Sequence, residues 1–230
     1  GSNSIQFSDC EYVHFESFTI QGQTGNGINI DDAGSFETPT HHIRIIKCTF
    51  QNINATGNND LLKLSGLDDF EIRQCNFLNG APGGSGIDMV GCHRGLIEEN
   101  NFKNLGSNSI QAKGGTALLM IFRNIFENGG ARSLNLGGST GLQFFRPLDA
   151  TTEAQDIKVI GNFFQGSEAP IAYVGSRNVE VSNNTILFPG KWVVRILQET
   201  VDPTRFLPCG ENSFFNNIIV VNNNVNTEVN

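Results

Sequence analysis

Lys63, Asp88, Gln111 and Asn135 are the residues whose types and spacing invite chemistry. They fall 23 to 25 residues apart, and each sits between two apolar residues: Leu62 and Leu64, Ile87 and Met89, Ile110 and Ala112, Leu134 and Leu136. A chain that repeats at that period stacks them into one row, stepping about 4.8 Å from coil to coil. Lys113 falls diagonal to Asp88 in this arrangement, and Arg132 falls beside Ser109. Arg146 lies in the segment GLQFFRP, flanked by Phe144 and Phe145. A flat row of amide, carboxylate and cationic groups at strand spacing suits an extended sugar polymer. Amides and charges pair with its hydroxyls and carboxylates, and an aromatic ring packs on a pyranose face.

Those residues need elements that hold them in register. Gly86 to Phe126 shows the repeat: Ile87 and Met89 match Ile110 and Ala112, Ile97 matches Ile121, Asn100 matches Asn124 and Phe102 matches Phe126. The register extends through Ile45, Cys48 and Phe50, through Ile72, Cys75 and Phe77, through Val159, Asn162 and Phe164, and through Val181, Asn184 and Ile186. Phe214, Asn217 and Ile219 close it, and a looser opening coil holds Ile5, Phe7, Phe15 and Ile20. Eight coils span nearly the whole chain. Apolar residues alternate with period two over short runs, and no run carries the helical i, i+3, i+4, i+7 spacing. The 26 Gly and 28 Asn supply turns that need positive φ.

The expected fold is all-β: a single-stranded, right-handed parallel β-helix of about eight coils with an Asn turn ladder at Asn100, Asn124, Asn162 and Asn184. One coil cannot bury its own apolar face, whereas stacked coils bury a continuous column. The expected organisation is one domain over residues 1–230. Both column ends read as uncapped, and the expectation is a piece of a longer chain. The net charge of −8 argues against binding nucleic acid or an anionic membrane, because the summed field repels phosphate. No apolar run approaches a membrane span. The five Cys read as small buried hydrophobes, and Cys48 and Cys75 occupy equivalent turns in neighbouring coils.

Three coils depart from the repeat. The step from first to second inward strand is ten residues at Leu62–Ile72, Ile87–Ile97 and Ile171–Val181. It is 17 at Ile28–Ile45, 25 at Leu134–Val159 and 20 at Val194–Phe214. The added segments, 31–42, 139–155 and 199–210, all fall at one corner of the coil. Same-corner insertions in a solenoid stack into a wall, and such walls are binding faces.

The coil pattern, the Asn turn and the one-corner insertions resemble the pectate-lyase-like β-helix superfamily. QAKGGT (111–116) with NLGGSTGLQFFRP (135–147) is similar to proteins grouped with polysaccharide lyases of the alginate lyase and chondroitinase B type. The resemblance implies a secreted, cell-surface or periplasmic protein that binds polysaccharide and cleaves a uronate polymer by β-elimination. It places a catalytic base at Lys113 and a cationic partner at Arg132 or Arg146. His93 would give a proton to the leaving oxygen, and Lys63, Asp88, Gln111, Asn135, Phe144 and Phe145 would contact substrate. It also allows a Ca²⁺ ion to neutralise the uronate carboxylate, although no acid-rich metal set is evident in the sequence. Arg suits carboxylate neutralisation as a permanently charged bidentate donor, and Lys becomes a base where a neighbouring cation depresses its pKa.

Plainer readings stand beside these. Lys63 with Asp88 reads as a cross-strand ion pair, and Arg146 as an anchor for its own loop. His41 and His42 read as loop residues. Two other functions compete with the lyase: a non-catalytic glycan-binding module of a larger surface protein, and a glycoside hydrolase. The hydrolase needs carboxylates about 5 to 9 Å apart on one face, and the sequence offers no clear set.

Overall fold

A computed structural model describes residues 2–230. The strands form three parallel sheets of eight, and successive strands of the chain fall in the first, second and third sheet in turn. That is a parallel β-helix of eight coils. The registers are those of the repeat: Ile87 pairs with Ile110 and Met89 with Ala112, Ile97 with Ile121, and Phe102 with Phe126.

Two internal stacks explain why this sequence closes into coils. Phe50, Phe77, Phe102, Phe126 and Phe164 lie ring over ring with centroids 4.6 to 4.9 Å apart and planes within 9°. All five are fully buried. At the turn into the third sheet, each Asn accepts from the coil below and donates to a carbonyl of that coil. Asn100 N–H donates to Asn124 Oδ1 at 2.9 Å, and Asn100 Nδ2 donates to Ile72 O at 2.9 Å. The pattern continues through Asn162, Asn184 and Asn217. A buried amide with every group bonded avoids the roughly 1–3 kcal/mol cost of an orphaned polar atom. In the earlier coils the ladder position is filled by Cys75, whose N–H donates to Asn100, and by Cys48, whose N–H donates to the Cys75 sulfur at 3.4 Å. All five Cys are free thiols.

The second-sheet strands carry a left-handed residue at the same place in most coils: Tyr12, His42, Asp69, Arg94, Leu118, Asp156 and Asn178. The register skips that residue, as where His93 pairs with Ala117 and Gly95 with Leu119. The left-handed residues therefore stack one over another beside the first corner, and each interrupts its strand's ladder there.

That corner joins the first sheet to the second. It is one or two residues long after Leu62–Ser65, Ser85–Val90, Asn108–Lys113 and Ala169–Val174. It is long after Ile28–Asp31, Arg132–Gly137 and Val194–Leu197. The first loop ends at residue 39, and His41 and His42 belong to the strand Thr40–Ile46 rather than to a loop. Beyond the eighth coil, Glu228 and Asn230 accept from Val193, Val194 and Ile196. They cover the first-sheet edge there, which the sequence read as bare.

Candidate functional site

The first-sheet strands of coils two to five end side by side under the first and second loops. Their outward residues there are Asp31, Ser65, Val90 and Lys113. One step back on the same strands lies the row Asn29, Lys63, Asp88 and Gln111, which Asn135 continues on coil six. A cleft of about 530 Å³ opens above these strand ends. Its floor is Lys63, Ser65, Gly66, Val90 and Lys113, one wall is Asp32, Gly34 and Phe36, and the other runs from Ser139 to Phe144.

Asp88 lies beneath the floor, 4 % exposed, between two ammonium groups. Lys63 Nζ hydrogen-bonds its Oδ2. Lys113 Nζ lies 3.2 Å from its Oδ1, an ion-pair contact without hydrogen-bond alignment. Asp60 stands 4.0 Å from Lys63 on the other side and accepts the Ser85 N–H at 2.7 Å. Burial first, and then the Asp88 charge, push the Asp60 carboxyl up to about 7. Burial works to lower the Lys63 pKa, but the charges of Asp88 and Asp60 outweigh it and raise it. Lys63 therefore stays an ammonium. Asp32 in the wall is raised by burial, against a hydrogen bond from the Gly34 N–H and the nearby Arg146 charge. Lys63 and Lys113 thus share Asp88 at the floor, with Asp60 behind Lys63 and the Asp32 carboxyl in the wall.

The expected site residues divide. Lys63, Lys113 and Phe144 line the cleft, and Phe144 is 59 % exposed. Gln111 lies half-buried in the row, accepting a long bond from Asn108. Asp88 cannot contact a ligand directly, because both lysines lie over it. Asn135 is buried under the guanidinium of Arg132, which donates to it at 2.8 Å.

Arg132 is not a partner of Lys113. It pairs across from Asn108, five residues and roughly 16 Å from the Lys113 end of the neighbouring strand. Its other arm holds Glu199 of the third loop at 2.9 Å. Phe145 is fully buried and cannot stack on a sugar; it packs on Phe206 with centroids 5.2 Å apart, between the second and third loops.

Arg146 borders the cleft, but its guanidinium is committed elsewhere. Nη1 and Nη2 grip Asp68 at 2.7 and 3.0 Å, and Nη1 also reaches Gly91 O at 3.0 Å. His93 belongs to the same knot. Its Nε2 donates to Gly115 O at 3.0 Å, and its Nδ1 faces Arg146 Nη1 at 2.9 Å and Asp68 at 3.2 Å. Neither ring nitrogen is left for a leaving group. Burial alone would raise the Asp68 carboxyl. Its contacts with His93, Arg146 and Arg94 hold it well below the usual carboxylate range.

Sequence reasoning missed Asp60, Asp68, Glu153 and Phe36. Glu153 is buried and ties three segments together. It accepts from the Gly114 N–H at 2.9 Å, from the Thr140 N–H at 2.8 Å and hydroxyl at 2.7 Å, and from the Thr200 hydroxyl. It fixes the turn after Lys113 to the cleft wall. Its only signal in the sequence was its place in the longest insertion.

A Ca²⁺ ion does not fit the donors at this site. The Asp88 oxygens face two ammonium groups. Asp31 is occupied by Gln6, Asn29 and the Ala33 N–H. Among the described residues no cluster of three or more His, Cys, Asp or Glu is arranged to hold a metal.

No protein-family model and no curated protein matches the chain. Among solved structures it is similar to the crystal structure of an alginate lyase from Paenibacillus sp. str. FPU-7. The two are 11 % identical over 97 % of this chain and 100 % of that one, with a TM-score of 0.48. At that identity and score the likeness carries no functional argument, and function has to be read from the side chains of the cleft. Among the described residues no helix is long and apolar enough to cross a membrane.

Proposed function

We propose that the cleft binds a uronate-containing polysaccharide, with a sugar carboxylate received between Lys63 and Lys113. The observation that carries this reading is the shared counter-ion. Two ammonium groups rest on one buried carboxylate, and both line the cleft. Each ammonium has three donors, of which Lys63 spends one on Asp88 and Lys113 none in an aligned hydrogen bond, so donors remain for a ligand oxygen. Phe36 and Phe144 on opposite walls offer apolar faces to a pyranose ring.

Cleavage by β-elimination is a second reading of the same cleft, favoured by the two lysines standing together on its floor. Lys63, kept charged by Asp88, neutralises the C6 carboxylate. Lys113, once unprotonated, takes the C5 proton. The C5–H electrons form the C4=C5 double bond, the C4–O bond breaks, and the leaving oxygen is protonated from solvent. Arg132, Arg146 and His93 have no part in this scheme.

The test is a panel of alginate, pectate and glycosaminoglycan, with neutral glucans beside them. It is read by affinity electrophoresis and by ultraviolet absorbance of the unsaturated product, with and without Ca²⁺. Retention on uronate polymers alone is the expected result. New absorbance selects the lyase, and binding without absorbance selects a non-catalytic glycan module. Equal retention on neutral and anionic polymers overturns the proposal.

A further inference from the structure

The outer face of the first sheet is open on some coils and roofed on others. Gln6 on coil one is exposed, and Asn29, Lys63, Ser65, Gln111 and Lys113 on coils two, three and five are partly exposed. On coils six and seven the matching outward residues are buried: Asn135 with Gly137, and Ala172 with Val174. An alanine and a valine on the outer face of a sheet are buried only where something lies over them.

The start of the third loop lies over them. After Leu197 on coil eight, Glu199 reaches back to the Arg132 guanidinium on coil six at 2.9 Å. Thr200 donates to Gly138 O at 3.4 Å, also on coil six, and to Glu153. Both ties span coil seven, and Arg132 in turn lies on Asn135. Gly138 closes the angle below: a Cβ there would come within 3.0 Å of Gln111 Nε2 and 3.4 Å of the Lys113 side chain. The open floor therefore stops at coil five.

Two ways out of the cleft remain. One crosses the corner between the first and second loops, past the exposed carboxylates of Glu37 and Asp149. Arg146, the cation there, is already paired with Asp68. The other runs along the strip over Asn29 to Gln6, where Asp31 is met by Gln6, Asn29 and the Ala33 N–H. A polyanion is repelled at the first way out and meets amides at the second.

We infer that the cleft is a blind groove, which takes the end of a polysaccharide chain rather than its interior. The chain enters over coil one and stops against the third loop at coil six. This rests on the uronate reading of the cleft and adds which part of the polymer is bound. From Gln6 to Gln111 the strip spans four coil steps, roughly 19 Å, room for about four sugars. From Asp88 to the stop is two steps, roughly 10 Å, or one to two sugars. Where the cleft cleaves, it therefore releases units of that size from the chain end. Glu199, with Thr200 and Arg132, sets the stop and touches no reacting atom.

The test counts protein copies per polymer chain, by size-exclusion chromatography with light scattering, on sized fractions of alginate, pectate and chondroitin. Fractions of about 8 and about 48 residues suit it, because a column about 38 Å long covers about eight sugars and internal binding would load up to about six copies on the longer chain. One copy per chain on both fractions is the expected result. Where the double-bond absorbance appears, mono- and disaccharides are expected from the first minutes. Glu199→Ala/Thr200→Ala unties the third loop and is expected to load several copies on the longer fraction, with circular dichroism confirming that it is folded. A wild-type count that grows with chain length, a ladder of intermediate products, or a folded variant that still loads one copy overturns the inference. Failure to bind any of the three polymers overturns instead the uronate reading beneath it.

Discussion

Asp88 and Asp68 are both buried carboxylates flanked by two basic side chains, and they stand on consecutive coils. Their partners set them apart. Asp68 is held by Arg146 and Arg94, with His93 filling the remaining side. The Arg146 fork spends two arms on the carboxylate and a further contact on Gly91 O, and its Nε faces no acceptor. That arrangement staples the second loop to the coils below it and leaves nothing for a ligand. Asp88 is held by two lysines, whose compact heads keep donors free and face an open cleft. A guanidinium matches a carboxylate so closely that it closes the site, and an ammonium leaves it open. One cluster builds the wall and the other charges the floor.

The largest effect that would sharpen this contrast is on stability. Arg146→Met removes both guanidinium hydrogen bonds to Asp68, leaves it the half-exposed Arg94, and releases the second loop; it is expected to cost about 3 kcal/mol in denaturant unfolding. Lys113→Gln leaves Asp88 its Lys63 partner and is expected to cost under about 1 kcal/mol. Equal costs would erase the distinction between staple and floor.

In binding the order reverses. Lys113→Gln is expected to weaken a uronate oligosaccharide at least tenfold, about 1.4 kcal/mol, measured by calorimetry. Arg132→Gln, remote from the cleft, is expected to leave affinity unchanged.

Asp60 adds a pH dependence. Its carboxyl is raised in the folded protein, so folding favours the protonated form. Its stabilising contribution is complete below the unfolded value near 4 and is lost as pH climbs through about 7. Over the same interval the cleft gains a negative charge, and affinity for an anionic glycan is expected to fall by about fivefold. Asp60→Asn keeps the acceptor for the Ser85 N–H and is expected to flatten both profiles. The smallest effect is at the wall: Phe144→Ala is expected to cost about twofold to threefold in affinity and nothing in stability.

The coils were legible because each inward column repeats one kind of side chain: Phe50 to Phe164, Asn100 to Asn217, Ile87 over Ile110. Lys63 and Lys113 were legible because strand register alone places them. The rest was hidden by sequence distance. Asp68 reaches Arg146 across 78 residues, Glu199 reaches Arg132 across 67, and Glu153 reaches Gly114 across 39. Insertions carry no period from which such partners can be read. Phe144 and Phe145 are adjacent at the end of a single 3-10 turn, and only the third loop decides that one is exposed and the other buried.

The most direct test of the central claim is a calorimetric titration of a uronate oligosaccharide against the same oligosaccharide reduced at its carboxyls. It is run on wild-type protein and on Lys63→Gln/Lys113→Gln/Asp88→Asn, in which no charge is stranded. The cleft as described binds the uronate at least tenfold more tightly than its reduced form, and the triple variant loses that preference while staying folded. A wild-type protein that binds both equally, or a triple variant that keeps the preference, contradicts it.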